Sequence, residues 1–135
     1  MLESLNETLR EKVAPIVRGL GLRVERASRE EVRLAMPVVP HVVHSGGVLC
    51  GQAIMAAMDT AMVLALVAHG GGVYRPMTTV QLQTTFLRGV PADAGEVSLV
   101  ARVLRTGRTL AFGEIELSTP DGRLAAHATT TYALL

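Results

Sequence analysis

Residues 50–72 read CGQAIMAAMDTAMVLALVAHGGG, a run with one charged side chain, Asp59. From Gly51 to Ala68 every other residue is apolar, small or weakly polar, and the glycines at 70–72 stop the run, glycine being the usual helix terminator. The length approaches that of a membrane span. A span would place Asp59 near the bilayer centre at a cost of about 2.5–3.5 kcal/mol. The flanks carry no basic cluster, and the strand-like sequence that follows needs a soluble partner. The run is therefore predicted to be a helix of a globular domain, apolar on nearly every side because it is buried on nearly every side. Gly51, Ala53, Ala56, Ala57, Ala61 and Ala65 permit close approach by a sheet curled around it. A carboxylate in such a helix is costly unless it is hydrogen-bonded or put to use. Asp59 is the first candidate for function; the structural alternative is an aspartate that merely bonds Thr60 or a threonine of the sheet.

Working outward, Leu5, Leu9, Val13, Ile16 and Val17 lie near helical spacing in residues 3–18, where Pro15 should kink or end the helix. Residues 22–38, LRVERASREEVRLAMPV, alternate as a first hairpin, and VVPHVVHSGGVLC at 38–50 reads as a loop. From residue 77 the pattern is strand-like to the end, with turn sequences RTGR at 105–108 and TPDG at 119–122. The expectation is a helix, two strands, a long apolar helix and four strands in a meander: one α+β domain, residues 1–135, with an antiparallel sheet.

Composition narrows the function. At 49% hydrophobic and 19% charged residues the chain should fold around a substantial core. Thirteen basic and 12 acidic residues give a net charge of +1, which offers no electrostatic argument for nucleic acid. A single cysteine excludes an internal disulfide and fits a reducing compartment. MLESLNETLREK at the start lacks the apolar core of a signal peptide, so a cytoplasmic location is expected. There is no G-x-S-x-G, HVVH at 41–44 lacks accompanying carboxylates or thiols for a metal, and Cys50, with no basic companion, reads as a small filler.

The order of elements and the stretches GGVLCGQAIMAAMDTA, TTVQLQTTFLRGVPADAGEVSLVARVLRTGRTLAFGEIEL and LAAHATTTYAL resemble the hotdog fold. More narrowly, they resemble acyl-CoA thioesterases of the phenylacetyl-CoA and hydroxybenzoyl-CoA thioesterase branch. The resemblance runs from about residue 44 to the end. It implies a long central helix wrapped by a six-stranded antiparallel sheet, an acyl-CoA substrate, and no cofactor. It also implies that the Gly51 N–H holds the thioester oxygen and that Asp59 acts as general base or nucleophile. His44 stands where the family usually has Asn or Gln, and Thr79, or its neighbour Thr78, stands where a hydroxyl positions water. The chain reads Cys50-Gly51-Gln52 where family members often read His-Gly-Gly. The chemistry fits these assignments: thioester hydrolysis needs a base or nucleophile and a donor for the developing oxyanion, and a helix N-terminus supplies unpaired N–H groups.

For the CoA phosphates the resemblance points to Arg88 and to the turn Arg105, Gly107, Arg108 and Thr109, which from sequence alone read as a solvated turn. Met55, Met58 and Met62 are expected to line an adaptable acyl pocket. Gly51 and Asp59, eight residues apart, are separated by about 12 Å along a helix. That separation implies an obligate homodimer with shared sites, or a dimer of two such dimers. The rival readings are a non-catalytic acyl-CoA-binding hotdog module, which would not need Asp59, and a hotdog dehydratase or hydratase, which would want a His–acid pair and whose motif is not recognisable around the helix start.

Overall fold

The computed structural model describes residues 1–135. Pro15 divides the N-terminal helix, as a ring without an N–H must, giving α1 (Leu2–Glu11) and a short α2 (Pro15–Arg18) that starts on the proline. Leu5 and Leu9 of α1 are buried. The hairpin follows as β1 (Arg23–Ala27) and β2 (Glu31–Pro37), with Val24, Val32, Leu34 and Met36 turned into the core. A 3-10 turn at Pro40–Val42 leads to the long helix α3 (Gly51–His69). The chain ends in β3 (Met77–Phe86), β4 (Glu96–Thr106), β5 (Leu110–Ser118) and β6 (Leu124–Leu134).

All six strands form one antiparallel sheet in the order β1-β2-β4-β5-β6-β3. α3 lies across its inner face with twelve residues buried, among them Met58, Met62 and Leu64. By length and composition α3 could cross a membrane, but here it is mostly covered by Leu34, Met36, Leu99, Ile115 and Leu117. Gly113 on β5 sets the closeness of that packing, because a Cβ there would strike the thioether of Met62 and the carbonyl of Arg102. The architecture is a hotdog, a sheet wrapped around one apolar helix.

Two expectations need correction. The last four strands are not a meander: only β4, β5 and β6 are consecutive neighbours, and β3 crosses to the far edge to pair with β6. The cause is the connection 87–95, which is too long for a hairpin loop; its tight turn at 91–94, with Ala94 N–H on the Pro91 carbonyl at 3.0 Å, does not join β3 to β4. It runs along one end of the sheet, where Val90 is buried and its carbonyl accepts from Leu49 N–H at 2.9 Å. Nor is α3 buried on nearly every side. Gln52, Met55, Ala56, Asp59 and Val63, spaced three or four residues apart, form one stripe that the chain itself covers only in part. Met58 and Met62 are fully buried packing residues, so of the three methionines only Met55 lies on this open stripe.

On β3 the partly buried residues are Met77, Thr79, Leu82 and Thr84, the alternation being shifted by a bulge between Thr79 and Gln81. Thr84 Oγ1 is buried without a hydrogen-bond partner. Valine has the same shape without the stranded hydroxyl, so Thr84→Val is expected to raise stability by about 1 kcal/mol, measured by urea unfolding. A loss of stability would mean that the hydroxyl has a partner in solution.

Candidate active site

The register of β3 on β6 pairs Thr79 with Tyr132, and both side chains point at the middle of α3. Thr79 Oγ1 donates to Asp59 Oδ1 at 2.8 Å. The Tyr132 hydroxyl donates to the Asp59 carbonyl oxygen at 2.9 Å and also meets Oδ1. Two hydroxyls thus converge on one carboxylate oxygen. Oδ2 has no partner in the chain, and since Thr84 Oγ1 is the one buried side-chain polar atom left unsatisfied, Oδ2 faces solvent. Thr60 plays no part; its Oγ1 bonds the Ala56 carbonyl at 2.8 Å, one turn back on the helix.

Tyr132 is 2% exposed. Burial, followed by the hydrogen bond to Asp59, pushes its pKa far above the ordinary tyrosine value; the Thr79 hydrogen bond opposes this in part, and the Asp59 charge adds a smaller upward push. The phenol therefore stays protonated at any working pH and can only be a donor to the carboxylate. The sequence reading missed it because TTTYAL reads as a run of strand formers. The available signal was that Tyr132 is the one aromatic residue in β6, in phase with the inward Ala128 and Thr130.

At the other end of the stripe α3 begins. Cys50 is its N-cap rather than a filler, with Sγ accepting from Ala53 N–H at 3.4 Å. The Gly51 and Gln52 N–H groups, which the helix cannot satisfy, meet no acceptor in the chain. The Phe86 ring at the end of β3 packs beside Gly51, 3.3 Å from where a Cβ would stand. Between Thr78 and Thr79, only Thr79 reaches Asp59; Thr78 is exposed. His44 is also exposed, and its Nδ1 accepts from Gly46 N–H at 2.8 Å, so the ring caps its own turn and makes no hydrogen bond to Asp59.

The cations do not converge within one chain. Arg105 near the end of β4 and Gly107, Arg108 and Thr109 in the β4–β5 turn lie beside the C-terminal end of α3, where Thr106 Oγ1 meets His69 Nε2 at 3.4 Å. Arg88 lies at the opposite end, its Nε donating to the Leu124 carbonyl at 3.2 Å. The ten steps along β4 separate these ends by roughly 33 Å. The Gly107 N–H is also not free for a phosphate, because it donates to the Leu110 carbonyl at 2.7 Å.

Residues 46–126 match the Thioesterase superfamily, well over half of the chain. A conserved protein of Pseudomonas aeruginosa, PA5202, is 32% identical in sequence, with 91% of this chain and 95% of that one covered and a TM-score of 0.82. The thioesterase PA1618 of the same organism, solved as a mutant, is 28% identical over 100% of this chain and 94% of that one, also at a TM-score of 0.82. A hypothetical thioesterase of Streptococcus pneumoniae, solved with coenzyme A, shares the fold at 18% identity and a TM-score of 0.77, over 84% of this chain and 85% of that one. The chain belongs to the Thioesterase superfamily and is a thioester hydrolase of the hotdog fold.

Proposed function

We propose that the thioester is an acyl-CoA, hydrolysed to the free acid and CoA with Asp59 as general base or nucleophile. The observation that carries this is the carboxylate itself, fixed at Oδ1 by Thr79 and Tyr132 with Oδ2 left open. As base, Oδ2 takes a proton from water as the water oxygen bonds the thioester carbon; the C–S bond then breaks and the proton passes to the leaving thiolate. As nucleophile, Oδ2 bonds the carbon directly and the C–S bond breaks, expelling CoA as its thiolate; water then hydrolyses the resulting anhydride, returning the Asp59 carboxylate and giving up the proton that the thiolate takes. In either case the carbonyl oxygen gains charge, which the unpaired Gly51 N–H at the positive end of α3 would meet. Thr79, whose proton goes to Asp59, can position water only as an acceptor. The coenzyme A found with the S. pneumoniae fold relative supports the choice of thioester.

We infer that two chains build each site. Gly51 and Asp59 are about 12 Å apart along one helix, too far to touch one thioester group. The stripe Gln52, Met55, Ala56, Asp59 and Val63 lies partly uncovered beside the free edge of β3, on which Val80 and Phe86 are 59% and 49% exposed. A two-fold axis there sets the α3 helices antiparallel, with Gly51 of one chain facing Asp59 of its partner. The same axis reverses the sheets, bringing the Arg88 end of one chain to the Arg105–Arg108 end of the other. A homodimer is therefore the functional unit, with a dimer of dimers as its extension.

The reading is tested by thiol release from a panel of acyl-CoAs. Asp59→Asn keeps the volume and removes both base and nucleophile, and kcat is expected to fall at least ~10²-fold with an unchanged circular dichroism spectrum. Near-wild-type turnover would refute it. Arg105→Ala combined with Arg108→Ala should raise KM with little change in kcat, because a phosphate contact is equal in ground and transition states, and wild-type KM should rise with salt. An unchanged KM would return both arginines to the solvated surface.

A further inference from the structure

We propose that Tyr132 is a positioning residue for hydrolysis: with Thr79 it occupies Oδ1 of Asp59, so that Oδ2 alone is the reacting oxygen. This rests on Asp59 being the base or nucleophile, as argued above, and adds which oxygen acts and what selects it.

The geometry gives Tyr132 a hold that no other residue has. Its hydroxyl is placed between the main-chain carbonyl and the side-chain Oδ1 of Asp59, so it fixes the helix backbone and the carboxyl rotamer together. Thr79, opposite Tyr132 in the β3–β6 register, adds a second donor to the same oxygen. A carboxylate oxygen that accepts the Thr79 proton and shares the Tyr132 proton with the main-chain carbonyl has its charge drawn into those bonds and its lone pairs aimed away from a substrate. Oδ2 keeps free lone pairs on the solvent side. Tyr132 cannot deliver the proton that the leaving thiolate needs, because burial and the neighbouring carboxylate hold that proton on the phenol. Its role is confined to orientation.

A positioning role and a merely structural one separate in the kinetics. Tyr132→Phe keeps the ring that fills the core and removes only the hydroxyl. In the folded variant, kcat for acyl-CoA hydrolysis is expected to fall about tenfold with KM unchanged, since one or two hydrogen bonds of ordinary strength are lost from a group that acts in the transition state. In the Asp59→Asn background the same substitution should change kcat by less than about twofold, because there is no longer a carboxylate to orient. Should Tyr132→Phe fail to fold, fluorotyrosine incorporated at Tyr132 in a Tyr74→Phe background keeps the hydroxyl and alters its donor strength, and kcat must still respond at constant KM. Wild-type kcat in a folded Tyr132→Phe, or an equal loss with and without the Asp59 carboxylate, would overturn the proposal while leaving Asp59 in place. An active Asp59→Asn enzyme would instead overturn the reading beneath it, and this proposal with it.

Discussion

A carboxylate in the middle of an otherwise apolar helix has to be met by donors, and the fold is arranged around how Asp59 is met. Two strands distant in sequence, β3 and β6, must lie side by side and in one register for Thr79 and Tyr132 to reach the same oxygen. A two-residue slip of either strand would carry its hydroxyl about 7 Å away. The second contact of Tyr132, to the Asp59 carbonyl, fixes where the helix stands along the sheet. Gly113, under Met62, sets how close it stands. Replacing Asp59 by an apolar residue would leave the Tyr132 hydroxyl with only the main-chain oxygen, so this hydrogen-bonded cluster belongs to the core as much as to the chemistry.

The same arrangement gives the two carboxylate oxygens different surroundings. One is enclosed by hydroxyls; the other opens onto the uncovered stripe of α3 and the free edge of β3. Along that stripe lie, in order, the unpaired N–H groups at the helix start, the half-exposed Met55 and Asp59. A monomer would leave this apolar surface and a strand edge in water, a hazard that proteins ordinarily cover. Covering it with a second copy is the proposal that also puts a base and an oxyanion donor at one thioester group.

Much of this was legible in the sequence where the signal is local. A lone acid in a long apolar run, followed by three glycines, marked both the central helix and the residue proposed here to act. The alternating runs separated by RTGR and TPDG marked the strands β4 to β6. What depended on non-local pairing was lost. Nothing in TTVQLQTTF says that it will cross to the far edge and pair with residues 126–134, so the meander was drawn one strand too long and Tyr132 went unnoticed. That Arg88 and Arg105 lie at opposite ends of the sheet was not legible either, because sequence carries no sense of which end of a sheet a turn occupies. Cys50, without a basic companion, reads in sequence as filler, whereas in the fold its sulfur accepts from Ala53 N–H.

The claim on which the account turns is that Gly51 and Asp59 act on one thioester from two chains. It is tested most directly by mixing two inactive enzymes, Asp59→Ala and Gly51→Pro. Proline deletes the N–H at a helix start where it is tolerated, and Cys50 before it is already extended, with φ −72° and ψ 148°. Each variant alone should be dead. After co-refolding in equal amounts, half the dimers are mixed and each holds one intact site, so roughly a quarter of wild-type activity should return. No recovery in dimers proven to be mixed would contradict the account.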